Sequence, residues 1–448
     1  MQIAILGFGV EGKSAYEYLK KLNPKYEIDV YDENNIKDDN VKITKVKNFL
    51  DINFGKYGAI VRSPGVGPPF LPNEGKPPFE DLYHKIRYDH GDSHDFNLTS
   101  ATQIFFDKCP APIIGITGTK GKGTIVSFVA EILRAAGKKV HLVGNIGVAA
   151  LDILPEVSES DVVVYELSSF QLWDLSKSPH VAVVNMIEPD HLEVHPDFTD
   201  YVMAKMNILF WQDKKDFAII HQGAWQTMGE EYQKHSGISL KERKLEAKIQ
   251  FFPDDGLRDL AQNRLPGEHN VENAEAAILA VRAFDPEVTD EQIRTGLNNF
   301  TGLPHRLKFV AEKRGVKYYD DSIATTPGSA IAAIKSFSEP KILILGGFDK
   351  GADYSEIGEV AAKHKVKHIF AIGANAQKVK DQVGKKFDGK ITLLSDKKIS
   401  DIVNKIALQA KQGDVVIMSP AAASFDMFKN YKDRGEQFVS AVKSLSSD

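Results

Sequence analysis

Short apolar runs rich in valine and isoleucine recur along this chain, many followed by a glycine-bearing turn and a segment of helical period. Gln2–Leu6, Ile28–Tyr31, Ala59–Arg62, Ile113–Thr117, Val140–Val143, Val162–Glu166 and Val181–Met186 form one series. Val316–Tyr319, Lys341–Leu345, His368–Ile372, Ile391–Leu394 and Val415–Met418 form another. A strand that is apolar throughout must be covered on both faces, and crossover helices flanking a parallel sheet do this. The pattern predicts an α/β fold with mostly parallel sheets. At roughly 150 residues per domain, 448 residues predict about three domains. A Pro/Gly-rich stretch, Pro64–Pro78, and weakly patterned sequence beyond it end a first unit near residue 108. Gly302-Leu303-Pro304-His305 marks a second boundary, giving 1–108, 109–304 and 305–448. Residues 223–262 are charged and weakly patterned, which suggests a small peripheral insertion.

Composition narrows the function classes. The formal net charge is -5, from 56 basic and 61 acidic residues, so no global basic field favours a nucleic acid. Small anions remain possible ligands, because they need only a local cluster of donors. The single cysteine, Cys109, excludes an internal disulfide and a thiolate metal site. No apolar run of about 18 residues suits membrane insertion. A cytoplasmic protein is expected, and a monomer.

Two glycine-rich turns carry chemistry. Gly7-Phe8-Gly9-Val10-Glu11-Gly12 follows the first strand, and Asp32 lies at the end of the next. Such glycines admit a diphosphate at a helix N-terminus, and an acid there suits a ribose hydroxyl. Taken alone, the motif suggests an NAD-type site or a turn whose glycines serve packing. The second turn, Gly118-Thr119-Lys120-Gly121-Lys122-Gly123-Thr124, lies between an apolar strand and an apolar helix. This is the plan of a triphosphate loop, in which backbone N–H groups cradle phosphates and Lys122 adds a point charge. The strict Walker spacing fails, since Ile116 and Gly123 stand at two of its positions. ATP binding is the favoured reading.

Further candidates cluster at strand ends. Glu166 and Asp190-His191 are placed to meet a hard cation near phosphates. Lys205 sits in an apolar helix, where a lysine ordinarily extends to water. Asn270 or Asn273 is placed to cap the following Ala-rich helix or to read an adenine edge. Asp321-Ser322, Gly346-Gly347…Lys350 and Ser419-Pro420…Ser424 each follow a strand, where open parallel sheets bind ligands.

Taken in order, these motifs resemble the Mur ligases. The segments that carry the resemblance include Gly118–Thr124, Gly144–Gly147, Glu166–Leu172, Asp190-His191-Leu192, Tyr201…Lys205, Gly267–Asn270, Gly302–Arg306 and Ser419…Arg434-Gly435. Glu-Leu-Ser-Ser-Phe-Gln-Leu and Ser-Pro-Ala-x-Ala-Ser-Phe-Asp are similar to the glutamate-adding branch. The resemblance implies a Rossmann-like UDP-sugar domain, a central P-loop-type ATPase domain and a Rossmann-like C-terminal domain. It implies ATP-dependent addition of D-glutamate to UDP-N-acetylmuramoyl-L-alanine in peptidoglycan synthesis, through an acyl phosphate.

Carried onto this sequence, the resemblance implies that Lys122 holds phosphates. Thr124, Glu166, His191 and a carbamylated Lys205 would serve two Mg²⁺ ions. Asn270, Asn273, Arg306 and Asp321 would contact ATP. Ser63, Asn145, Ser168 and Gln171 would contact the UDP-sugar, and Thr325, Lys350, Ser424 and the backbone near Tyr431 the amino acid. Several positions depart from the family pattern: Gly123 follows the loop lysine, Ile323 follows Asp-Ser, and Glu11 and Glu33-Asn34 stand on the uracil side. Two carboxylates beside a diphosphate repel it. Thr-Ser-Ala-Thr near residue 100 also resembles the L-glutamate-adding branch, so the stereochemistry stays open. An NAD-dependent oxidoreductase and a non-catalytic nucleotide-binding protein are the competing classes.

Overall fold

The computed structural model describes residues 1–67, 82–90, 97–144, 148–395 and 398–446. Its described residues form three sheets. The first holds β1 (Gln2–Leu6), β2 (Glu27–Asp32), β3 (Ile43–Lys45), β4 (Ala59–Arg62) and β5 (Asn97–Ser100), in the order β3-β2-β1-β4-β5 and parallel throughout. The second holds β6 (Ile113–Thr117), β7 (Val140–Gly144), β8 (Val162–Glu166), β9 (Val181–Val184), β10 (Phe217–His221) and β11 (Lys248–Phe252). Its order is β11-β10-β9-β6-β8-β7, again all parallel. The third holds β12 (Lys308–Lys313), β13 (Val316–Asp320), β14 (Lys341–Leu345), β15 (Val366–Ala371), β16 (Lys390–Leu393) and β17 (Val415–Met418). In it an antiparallel β12-β13 pair edges a parallel set ordered β13-β17-β14-β15-β16. The expected α/β architecture with parallel sheets is present.

The chain divides into two compact units: residues 1–263 with 271–299, and residues 264–270 with 300–448. In the first, every residue of β6, β8 and β9 is buried. The helix Lys122–Ala135 covers that sheet, and the helix Asp290–Asn299 lies tightly on it. A Cβ on Gly296 would meet the Ile132 Cα at 2.4 Å, so only glycine allows this approach.

Five strands were missed, four of them with exposed residues. β3, β5, β10, β11 and β12 were not expected, and four of these five strands lie at sheet edges. An edge strand buries fewer side chains, so its apolar pattern is weak. The expected insertion at 223–262 is corrected: helix Gln222–Ser236 leads to β11, which adds to the second sheet beside β10. The boundary stretch Pro64–Pro78 lies partly outside the described residues, which resume with helix Leu82–Asp89.

Candidate active site

Sheet order explains why the central motifs meet. β6 lies between β9 and β8, so the turns leaving their carboxyl ends are neighbours. The turn after β6 carries Gly118–Thr124, that after β8 carries Glu166–Ser169, and that after β9 runs from Asn185 to His191. Gly121 caps the helix Lys122–Ala135 with φ 79°, and a Cβ there would lie 2.4 Å from Asn185 Nδ2. Only glycine fits that conformation and that space. Asn185 Nδ2 donates to the Lys120 carbonyl at 3.0 Å and to Asn273 Oδ1 at 3.1 Å, pinning the loop from behind. Thr119 Oγ donates to the Glu188 carbonyl and accepts from the Glu188 N–H, locking the first turn to the third. Thr117 Oγ1, buried at the end of β6, has no hydrogen-bond partner.

Lys122 begins its helix and donates to the Gly118 and Thr119 carbonyls, each at 3.0 Å. Lys205 donates to the same Gly118 carbonyl at 2.9 Å. Lys205 is 1% exposed, which corrects the expectation that it reaches for water. Its helix, Phe198–Phe210, is buried on this face, and the amine ends 4.6 Å from the centre of the Tyr201 ring. Burial, with the nearby Lys122 charge, holds the Lys205 amine well below the usual lysine range, against a smaller pull from Asp190 and Glu166. Two amines converging on one carbonyl make a locally cationic pocket suited to a phosphate.

Lys122, Lys205, Tyr201, Thr119, Asp190 and His191 line one cavity of about 310 Å³. His191 has φ 54°, a left-handed conformation uncommon for a residue with a Cβ and frequent at functional turns. Its ring leans on Phe170, 5.0 Å between centres. Glu166, 6% exposed, ends β8, and Thr124, 5% exposed, lies in the first turn of its helix. Among the described residues no group of three or more His, Cys, Asp or Glu side chains gathers as a metal site.

The opposite wall of the cavity contains Ser168, Ser169, Phe170, Gln171, Pro64 and Glu11. Ser168 and Gln171 form a reciprocal capping box on the short helix Ser169–Leu172, and Gln171 Nε2 donates to Glu11 Oε1 at 2.6 Å. Behind them lies a network that sequence reasoning missed. His195 Nδ1 and Asp200 Oδ2 are 2.6 Å apart, and His195 Nε2 and Ser169 Oγ are 3.0 Å apart. Trp173 Nε1 donates to Asp200 Oδ1. Its members come from the short helix Ser169–Leu172 and its C-cap Trp173, and from the start of helix Phe198–Phe210 with the loop before it, so only folding assembles them. Arg62, wholly buried on β4, forks onto Asp174 with two 2.8 Å bonds.

The turn after β1 takes the packing use, one of the two its motif suggested. Both oxygens of Asp32 accept backbone N–H groups, from Phe8 and Asn34, each at 2.7 Å. Asp32 is 5% exposed and closes its own loops, which corrects its assignment to a ribose hydroxyl. Ser63 Oγ donates to the Gly7 carbonyl at 2.7 Å, and a Cβ on Gly12 would meet that carbonyl oxygen at 2.0 Å. The glycines thus serve close packing of the turn against β4. Asn145 lies outside the described residues.

Helix Glu268–Phe284 follows Gly267, whose φ is 96°, so Asn270 and Asn273 lie inside the helix and not before its first residue. Asn270 Nδ2 donates to the Pro266 carbonyl at 2.7 Å. In the second unit, β13, β17 and β14 are adjacent, which brings their three turns together. Asp321, 6% exposed, accepts from Ser419 Oγ at 2.6 Å and from the Leu307 N–H, and burial pushes its carboxyl up to about 7. Arg434 is 1% exposed and donates to Ser322 Oγ and to the Ser322 and Ala422 carbonyls, tying two of the turns. Arg306, Thr325 and Lys350 are exposed, Lys350 with its amine 5.8 Å from the Phe425 ring. Ser424 is buried, and the half-buried Tyr431 takes Ser322 Oγ on its carbonyl.

Comparison with known proteins agrees with this geometry. Residues 116–281 match the Mur ligase middle domain, and residues 305–422 match the Mur ligase glutamate ligase domain. The UDP-N-acetylmuramoylalanine–D-glutamate ligase of Acetivibrio thermocellus is 34% identical, over 100% of this chain and 97% of its own length. The chain belongs to the Mur ligase family. A second Mur ligase of the same description, from Clostridium kluyveri, is 32% identical over 99% of this chain and 97% of its own. Among solved structures, UDP-N-acetylmuramate-alanine ligase MurC of Thermotoga maritima shares the fold with TM-score 0.56 at 15% identity, covering 99% of each chain. MurF ligase of Thermotoga maritima in complex with ADP gives 0.55 at 15% identity, over 99% of this chain and 95% of that one. No described helix is long and apolar enough to cross a membrane.

Proposed function

We propose that this chain is a cytoplasmic, monomeric, ATP-dependent ligase that joins D-glutamate to UDP-N-acetylmuramoyl-L-alanine in peptidoglycan precursor synthesis. The observation that carries the reading is the cavity shared by Lys122, His191 and the buried Lys205. It occurs in a chain 34% identical, end to end, to a D-glutamate ligase. In this reading the alanyl carboxylate attacks the γ-phosphorus of ATP and ADP leaves. The amine of glutamate then attacks the acyl carbon, expelling phosphate and losing a proton. Such chemistry needs charge neutralisation and positioning more than a nucleophilic side chain. Lys122 supplies charge at the phosphates, and the N–H groups of Gly118–Thr124 orient them.

Burial shifts the Lys205 amine toward its neutral form, the form that adds to carbon dioxide to give a carbamate and release a proton. That exchange turns a cation into an oxygen ligand. Glu166, Thr124 and carbamylated Lys205 would hold one Mg²⁺, and His191 a second. Mg²⁺ would offset the charge of the transferring phosphoryl group. Mg²⁺ ordinarily takes most of its ligands from phosphates and water. The unpartnered Thr117 hydroxyl beside the loop is a further oxygen for that shell.

We assign residues 1–108 to the UDP-sugar, 109–304 to ATP and 305–448 to the amino acid. Asn270, Asn273, Arg306 and Asp321 are assigned to ATP. Thr325, Lys350, Ser424 and Tyr431 are assigned to glutamate, and Ser63, Asn145, Ser168 and Gln171 to the UDP-sugar. The test is phosphate release from ATP in the presence of Mg²⁺ and bicarbonate. Release should require both UDP-N-acetylmuramoyl-L-alanine and D-glutamate. A response to L-glutamate alone overturns the stereochemistry, and no response to either overturns the reading.

A further inference from the structure

Glu11 lies in the first turn of the helix Val10–Leu22, and its side chain lines the cavity. An acid there is unexpected if an anionic ligand is to approach that helix end. Its surroundings distinguish its two oxygens. Gln171 Oε1 accepts from the Ser168 N–H at 2.8 Å and from Ser168 Oγ at 3.0 Å. The amide nitrogen is therefore the end that faces Glu11, and it donates to Oε1 at 2.6 Å. Glu11 Oε2 is sealed from solvent and has no hydrogen-bond partner.

Among the described residues the cation that favours the charged form of this carboxyl is Arg62 on β4, which is bound to both oxygens of Asp174 at 2.8 Å. Its remaining N–H groups go to the Phe170, Val66 and Ser63 carbonyls. Asp174 and Glu11 repel, and Tyr165 on β8 is a further titratable neighbour. Lys122, Asp190, His191 and Lys205 share the cavity. Burial without a committed counterion pushes the Glu11 carboxyl up to about 7.

We propose that Glu11 is a binding residue that meets the UDP-sugar in its neutral form, donating the Oε2 proton to an anionic oxygen of that ligand and repelling it when ionised. The inference rests on the functional reading above. Oε1 is committed as an acceptor, so the proton sits on Oε2. Among the described residues no group accepts from Oε2, so the acceptor arrives with the ligand. A hydroxyl at this position donates at any pH, whereas a carboxyl donates only when protonated. The diphosphate diester of a UDP-sugar stays ionised across the neutral range. The titration that governs binding therefore belongs to the protein, and affinity falls as pH rises through neutrality.

The experiment is calorimetric titration of the full chain with UDP-N-acetylmuramoyl-L-alanine, without ATP, at pH 6 and pH 8. Wild type is compared with Glu11→Gln, whose amide still accepts from Gln171 and donates at the Oε2 position at every pH. Wild-type affinity should weaken about tenfold from pH 6 to pH 8, the ratio of protonated fractions for a group titrating near 7. Binding at pH 8 should take up close to one proton, read from heats in buffers of different ionisation enthalpy. Glu11→Gln should bind equally at both pH values with no such uptake. Glu11→Ala, lacking donor and repulsion alike, should be weaker but equally flat. Because the variants share every other titrating group of the cavity, those contributions cancel. Coincident pH profiles for wild type and Glu11→Gln overturn the role of Glu11 and leave the functional reading intact. No binding by wild type at either pH overturns both.

Discussion

Replacing Arg62 by methionine tests whether one buried guanidinium holds the cavity wall. Arg62 makes 2.8 Å bonds to both oxygens of Asp174 and to the Phe170 and Val66 carbonyls. Methionine fills much of the stem volume but leaves a carboxylate without its partner and two carbonyls short of a donor. All four bonds carry the guanidinium charge and are worth about 1.5–3 kcal/mol each, so the gross loss is about 6–12 kcal/mol. Asp174, whose side chain is 12% exposed, recovers some of this by turning to water. The expected cost is about 4 kcal/mol, within the range for breaking a buried ion pair from one side. The assay is urea unfolding followed by tryptophan fluorescence. Trp173, Trp211 and Trp225 all lie in the first unit, so the signal reports that unit. With a slope of about 3 kcal/mol per M, the midpoint should fall by roughly 1.3 M. Adding Asp174→Leu to the variant should restore more than half of the loss, because the orphaned charge is removed too. A single-variant cost under about 1 kcal/mol would refute the clamp, as would a double variant no more stable than the single.

Four further outcomes are expected. Lys122→Ala should abolish phosphate release while leaving the unfolding midpoint nearly unchanged; near-normal turnover contradicts its phosphate role. Lys205→Ala should be inactive and partly rescued by acetate, and absence of rescue removes the carbamate from the proposed metal shell. Glu11 has a folded-state pKa raised from 4.5 to about 7, so the folded state holds its proton longer than the unfolded state. Wild type should therefore lose about 3 kcal/mol of stability as pH rises from 4.5 to 7, and Glu11→Gln should not; parallel stability curves contradict this. Gly12→Ala places a methyl 2.0 Å from the Gly7 carbonyl oxygen and should cost about 2 kcal/mol or more by forcing that turn open. A neutral effect on the melting temperature would show that the turn yields freely.

Much of the fold was legible because buried parallel strands advertise themselves. β6, β8, β14 and β17 are buried at every residue, and their sequences are almost unbroken runs of β-branched and aliphatic residues. β11 was missed because its pattern is mostly exposed, with only Phe252 buried. The glycine loop after β6 was legible for a related reason. Its glycines and lysine are contiguous, so its backbone form is set locally. The glycine motif after β1 shows the converse. Gly7, Gly12 and Asp32 have the spacing of a dinucleotide site, yet the fold uses all three to close the turn on itself.

The sequence by itself determined which segments become the buried central strands, where the glycine turns fall, and the family to which their order belongs. These are properties of short stretches, set by periodicity and local backbone freedom. Tertiary structure decided what each side chain is. Lys205 would ordinarily extend to water, and its amine is shifted toward the neutral form because its helix buries it beside Lys122. Glu11 reads as a misplaced anion, and it becomes a proton carrier because Gln171 is held by Ser168 and Arg62 by Asp174. Ionisation depends on solvent access and on partners more than a hundred residues away, and neither is written in the neighbouring sequence.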